Sequence, residues 1–183
     1  MRSFVKALVV FTLVLGVSLT SCSTSESPVT TSAGSEAKGK VGTRTNPVPF
    51  GSDAKVGEWK VKVTDFVADA TQAVLNANVF NHPPEAGQQY VLVTLEATYD
   101  GADSGTFWID ISYRFLGNKG NTFDSGSSFA VAPNPIIDAG EAFSGAVITG
   151  DLLFAVPSDQ VAGGLLILEP SFSFDDPTFF ALE

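Results

Sequence analysis

Gln89-Tyr90-Val91-Leu92-Val93-Thr94-Leu95-Glu96-Ala97-Thr98-Tyr99 is the stretch that decides the fold. Val91, Val93, Leu95, Ala97 and Tyr99 share one face, and of positions 92, 94, 96 and 98 between them only Leu92 is apolar. A period of two held this long marks a half-buried antiparallel strand, because a helix repeats every three to four residues. The same period extends outward in both directions. Upstream, Trp59, Val61 and Val63 alternate with Lys60, Lys62 and Thr64. Downstream, Phe107, Ile109, Ile111, Tyr113 and Phe115 alternate with Trp108, Asp110, Ser112 and Arg114.

Shorter strand-like segments cover residues 129–131, 142–149, 151–156, 165–169 and 178–182. Turn formers punctuate them, as in Asp100-Gly101, Asn118-Lys119-Gly120-Asn121 and Pro133-Asn134-Pro135. Only residues 69–79, with Ala73, Val74 and Ala77, have the spacing for a turn or two of helix. Seven to nine strands with almost no helix predict an all-β chain folded as an antiparallel β-sandwich.

The link after Tyr99 is informative. A symmetric hairpin around residues 100–105 would set Tyr99 opposite Thr106 and Ala97 opposite Trp108. The apolar face of one strand would then lie beside the mixed face of the other, and the register would oppose the core. An arch from one sheet to the other removes the conflict, and a bulge would also repair it.

Composition narrows the function classes. The chain has 183 residues, with 20 Asp and Glu against 10 Lys and Arg, one His and one Cys. A net charge of −10 argues against nucleic acid, whose phosphates are met by Lys and Arg. A single Cys and a single His exclude an intramolecular disulfide and a Cys/His zinc cluster. Residues 46–183 hold five basic and 18 acidic side chains, a net of −13. A domain of this size buries about two-thirds of its extended-chain surface, enough for a core without staples.

The N-terminus reads as an address. Arg2 and Lys6 precede a mostly apolar run of 13 residues, 7–19. A spanning helix needs about 20, so residues 1–21 read as a signal peptide. Leu19-Thr20-Ser21-Cys22 then resembles the lipobox of bacterial lipoproteins. That resemblance implies diacylglycerol on the thiol of Cys22 and cleavage before it. One acyl chain anchors marginally, at about 0.8 kcal/mol per buried CH₂, whereas two hold a protein at the membrane. Between Cys22 and the domain, residues 23–45 contain ten Ser or Thr, three Gly and no aromatic. Such a stretch predicts a disordered tether, with the lipidated Cys at its head and the sandwich beginning at residue 46.

A wider resemblance rests on several motifs. They are Gly42-Thr43-Arg44-Thr45-Asn46-Pro47-Val48-Pro49-Phe50-Gly51, Val56-Gly57-Glu58-Trp59-Lys60-Val61-Lys62-Val63, Asn78-Val79-Phe80-Asn81 and Pro84-Glu85-Ala86-Gly87. Gln89-Tyr90-Val91-Leu92-Val93 and the tail Phe172-Ser173-Phe174-Asp175-Asp176 with Phe179-Phe180-Ala181 continue the set. Together, over about residues 42–183, they resemble the immunoglobulin-like β-sandwich domains of unknown function on actinobacterial surface lipoproteins and secreted immunogenic proteins. The resemblance implies an extracytoplasmic sandwich and supplies no catalytic residues. It also implies a departure, since many such relatives carry one cysteine near residues 129–131 and another near Leu153. Here both are missing, so Leu153 is expected to pack against residues 129–131 where the bridge would lie.

Little in the chain points to chemistry. His82, between Asn81 and Pro83-Pro84, reads as an exposed loop residue, and no Gly-x-Ser-x-Gly elbow accompanies it. Asp100 and Asp103 are weak candidates for Ca²⁺, but their turn lacks the ligand spacing of a calcium loop. No catalytic residue, cofactor or metal site is assigned. Trp59 and Trp108 read as packing residues, as do Phe107, Phe115, Phe143, Phe154, Phe172 and Phe174.

The functional expectation is a membrane-anchored envelope lipoprotein, held through Cys22, with a non-enzymatic sandwich that recognises an unidentified protein. The alternatives are a carboxylate- or Ca²⁺-dependent envelope enzyme and a carrier of small apolar ligands. The candidate recognition residues are Ile136 and Ile137. Pro133 and Pro135 keep their loop out of a regular ladder, and adjacent residues of an extended segment point opposite ways. The packing default is that both Ile residues cap the core, whereas the recognition reading requires one to plug the sandwich end while the other faces solvent.

Overall fold

Gly57, at φ 57°, opens the two-residue turn of the first hairpin, joining β1 (Asp53–Val56) to β2 (Trp59–Val67). The computed structural model describes residues 39–183. After β2 come the short helix α1 (Thr71–Ala77) and the long strand β3 (Gln88–Tyr99). The strand β4 (Ser104–Thr106) runs into a single helical turn, α2 (Phe107–Asp110), and then β5 (Ile111–Leu116) and β6 (Thr122–Asp124). The chain closes with β7 (Glu141–Phe143), β8 (Val147–Pro157), β9 (Leu165–Pro170) and β10 (Thr178–Ala181).

These strands make two four-stranded sheets, ordered β1-β2-β3-β8 and β10-β9-β5-β6, and a β4–β7 ribbon. Every pairing between named strands is antiparallel. The chain is a β-sandwich. Ten strands are described against the seven to nine expected, because the short β1 and β6 carry too little alternation to be read. Residues 129–131 form no strand, and β8 runs straight through Gly150 where two segments were expected.

β3 and β5 lie in different sheets, so the chain does cross over after Tyr99. The crossing corrects one expectation: residues 107–115 are not one strand. Phe107 and Ile111 are both buried, but one helical turn separates them, leaving Trp108 and Ile109 each 43% exposed. A four-residue helical step and two strand steps return to the same face, so the pattern at 107 and 111 fits both.

The core lies between the two large sheets. Trp59, Val61, Val63, Val93, Leu95 and Phe154 meet Phe107, Phe115, Leu166 and Leu168 across it. Trp59 packs on Tyr99 at 4.9 Å and edge-on against Phe107 at 5.3 Å. Polar tips finish this end, since Trp59 Nε1 donates to Asp110 Oδ2 at 3.0 Å and the Tyr99 hydroxyl to Glu58 Oε2 at 2.9 Å. Gly105 lets the ring in, because a Cβ there would stand 2.5 Å from a Tyr99 ring carbon. Phe107, Phe115 and Phe154 are core as expected, whereas Phe143, Phe172 and Phe174 are exposed. Those three sit in a short ribbon strand or in a loop, where no opposing sheet covers them.

Backbone bonds also reach the segment before residue 46. Gly42 N–H donates to Asn46 O at 2.8 Å and Phe179 N–H to Gly42 O at 2.9 Å. The chain is therefore bonded to β10 from Gly42, four residues before the expected start of the sandwich. The expected signal peptide, Cys22 and most of the tether lie outside the described residues.

Candidate functional site

Tyr90 and Leu92, on the even side of β3, mark a second apolar layer on the outer face of its sheet. Tyr90 and Leu92 of β3 join Leu153 and Ala155 of β8 under Ala70 and Val74 at α1, with Ala132 completing the layer. The short helix is tied down locally. Val74 N–H donates to Ala70 O at 2.9 Å, and Tyr90 N–H donates to Thr71 Oγ1 at 3.1 Å.

Two polar side chains hold the loops that cover this layer. Asn81 donates from Nδ2 to Val74 O at 2.7 Å and Val131 O at 2.8 Å, and its Oδ1 accepts Val131 N–H at 2.8 Å. It thereby satisfies backbone groups of residue 131 that no ladder reaches. Asp151 accepts Thr94 Oγ1 at 2.7 Å and Asn134 N–H at 3.1 Å, and its own N–H donates to Asn134 O at 2.7 Å. Gly150 permits the close approach, since a Cβ there would lie 2.7 Å from the Ile136 Cα.

Pro135, at φ −64°, leads into the tight turn Ile136–Ala139, whose Asp138 N–H returns to Pro135 O at 3.0 Å. Gly140, at φ 70°, ends it. Ile136 is buried among the core residues at 3% exposure, while Ile137 is 51% exposed. The two part company in a 3₁₀ turn rather than an extended segment, because proline sets the turn and not a strand. Beside Ile137 runs a groove of about 360 Å³, lined by Val131, Ala132, Pro135, Tyr113 and Leu153, with Asp138 at its rim. Burial pushes the Tyr113 phenol above its ordinary range, partly opposed by its hydrogen bond with Ser125. α2, with its exposed Trp108 and Ile109, packs against the Ile136–Ala139 turn and continues the apolar surface.

The expected contact of Leu153 is made through small residues. Ala130 packs against the layer that buries Leu153, whereas Phe129 stands 98% exposed with φ 53°. A left-handed phenylalanine with a free ring is unusual, since that region favours glycine. Sequence reading missed the bracing roles of Asn81 and Asp151, and only Leu92 hinted at the layer they hold.

The remaining candidates fall apart from this groove. His82 is an exposed loop residue whose carbonyl accepts the Tyr90 hydroxyl at 3.0 Å. Asp100 and Asp103 are both exposed at the β3–β4 turn. Among the described residues no three His, Cys, Asp or Glu side chains gather as a metal site. Nor is any helix among them long and apolar enough to cross a membrane.

The architecture defines the class: an antiparallel β-sandwich with a loop-built apolar groove beside its β8 edge. Similar folds occur in solved structures. The secreted protein MPT63 of Mycobacterium tuberculosis has a TM-score of 0.49 at 13% identity, over 75% of this chain and 98% of that one. An uncharacterised β-sandwich protein of Clostridium difficile has 0.46 at 10%, over 75% and 95%. A conserved hypothetical protein of Bacillus anthracis has 0.44 at 13%, over 74% and 95%. No family model and no curated protein sequence matches the chain. The fold assignment rests on the chain's own sheets.

Proposed function

We propose that this chain is a lipid-anchored protein of the bacterial cell envelope, facing the extracytoplasmic side, whose sandwich recognises a protein partner and catalyses no reaction. The observation that carries the recognition reading is Ile137. A large apolar side chain is held half in solvent by a braced loop, beside an apolar groove that it shares with Val131 and Pro135. Rigid presentation of an apolar residue next to a concave apolar surface suits recognition, because little ordering entropy remains to be lost on binding. The anchoring reading is supported by Leu19-Thr20-Ser21-Cys22 and by the Ser/Thr-rich stretch that follows.

Two measurements test the two halves. A photo-crosslinking amino acid at position 137 of the full chain, in cells, should capture a discrete protein adduct that Ile137→Asp competition variants fail to block. An absence of any discrete adduct would sink the recognition surface. In detergent phase partitioning the wild type should enter the detergent phase and Cys22→Ala the aqueous phase. Equal partitioning of the two into water would remove the anchor.

A further inference from the structure

The four outer edges of the two large sheets are treated differently. The β10 edge is sealed by Val48, whose N–H donates to Phe179 O at 2.8 Å and whose carbonyl accepts Ala181 N–H at 2.9 Å. The β8 edge is closed at Asp151 by Asn134. The β6 edge is only three residues long. The β1 edge is left open.

Its phase follows from the hairpin. Val56 faces Trp59 across the two-residue turn as a hydrogen-bonded pair, so Ala54 also bonds inward to β2, while Asp53 and Lys55 turn their N–H and C=O groups outward. Among the described residues nothing bonds these outward groups. A groove of about 640 Å³ runs beside them, with Val48, Ala54 and Pro170 among its walls. Val41, exposed, lines the same groove, and Phe172 and Phe174 are exposed on the loop whose Asp175 and Asp176 wall it.

The geometry points to β1 as a self-pairing edge, whose occupant is β1 of a second copy of this chain. In an antiparallel pairing centred on Ala54, each Asp53 lies opposite the second copy's Lys55, and each Lys55 opposite its Asp53. The backbone phase agrees with the charge phase. The outward groups of Asp53 and Lys55 then form the hydrogen-bonded pairs, four bonds by symmetry, and Ala54 faces its equivalent as the non-bonded pair. A two-fold interface requires a self-complementary patch, and Asp53-Ala54-Lys55 is one in both charge and hydrogen bonding. Asp53 already faces Lys62 within the hairpin, but Lys62 is engaged by Glu96 at 2.9 Å. Pairing would also shelter an edge that otherwise invites uncontrolled strand addition.

The test uses the full chain in detergent, with association followed by analytical ultracentrifugation over a concentration series. The wild type should reversibly dimerise. Asp53→Lys sets like charges opposite each other twice and should weaken association by about tenfold or more. Asp53→Lys with Lys55→Asp should restore it. Lys55→Pro removes an outward N–H that the β1–β2 ladder does not use, so it should abolish dimers while leaving the melting temperature near wild type. With Cys22→Ala also present, Ala54→Cys should form a disulfide-linked dimer on mild oxidation, because non-bonded pairs lie about 4.5 Å apart between Cα atoms. The same substitution at Asp53 or Lys55 should not. A monomer across the whole series, a double charge swap that fails to restore association, or no disulfide at position 54 would each overturn the assignment. Ile137→Asp should leave the dimer intact, which separates this result from the fate of the recognition groove.

Discussion

Phe154 and Leu153 are neighbours on β8, yet they belong to two different structures within the molecule. Phe154 points inward and meets Phe115 of the opposite sheet at 6.0 Å between ring centroids, joining the two sheets directly. Leu153 points outward, into a layer completed by Ala132, Ala155, Ala70 and Val74. The inner layer is built from large aromatic and branched side chains and satisfied at its end by buried polar tips. The outer layer sets Tyr90, Leu92 and Leu153 among alanines and is fastened by Asn81 and Asp151. Both exclude water. The inner one specifies the fold, and the outer one fixes the loops that shape the groove beside Ile137.

The comparison predicts unequal losses along one strand. Phe154→Ala should lower unfolding free energy by about 3–5 kcal/mol, since it opens a cavity that two rigid sheets cannot close. Denaturant melts should stay cooperative and move as a whole. Leu153→Ala should cost about 2–3 kcal/mol, near the lower end for such truncations, because a thin layer covered by loops can collapse onto the gap. Its signature should be local. Proteolytic cleavage within residues 125–139 should accelerate more than the global stability change accounts for, as the covering loops loosen first. If Leu153→Ala matches Phe154→Ala in cost and produces no local cleavage, the two layers are one core and the distinction fails.

The two layers were unequally legible in the sequence. The inner one follows from period-two alternation at Trp59-Val61-Val63 and Val91 to Tyr99, because a buried face imposes its register on every second residue. The outer one left a single trace, Leu92, since alanines and loop residues carry no period. The stretch from Phe107 misled because a helical turn and a strand both return Ile111 to the buried side. Exposed Phe172 and Phe174 misled for a different reason: apolar composition says what a residue prefers, whereas loop geometry decides whether anything covers it. Local sequence favoured burial of both Ile136 and Ile137, and the turn that sets Ile137 outside is held by Asp151–Asn134 bonds between distant segments. Cooperation between residues 134 and 151 is a product of the fold, and nothing local in either segment announces it.

The smallest expected effect concerns two tyrosines of the inner core. Tyr99 ends that core, and Tyr113 stacks on Phe107 at 6.5 Å between ring centroids where the core meets the groove. Burial pushes the Tyr99 phenol above its usual value near 10, and the Glu58 carboxylate that accepts its hydrogen bond pushes the same way. Burial also raises Tyr113, although its hydrogen bond with Ser125 works against it. Lys62 is held protonated by its hydrogen bond to Glu96 and adds to the same alkaline behaviour. All three groups keep their protons longer when folded, so above about pH 10 the native chain binds more protons than the unfolded chain. Stability should therefore be level with respect to these groups below that pH, and should fall as pH rises through their folded values. Tyr99→Phe should lower stability slightly near neutrality, through the lost bond to Glu58, and should make the alkaline decline shallower. Tyr113→Phe should also reduce the slope, but by less, because Ser125 partly offsets the effect of burial. Denaturant titrations across the alkaline range, with phenolate absorbance followed in parallel, measure both slopes. A Tyr99→Phe variant whose stability declines as steeply as wild type would show that this phenol titrates freely, and that the inner layer is open to water at the Glu58 end.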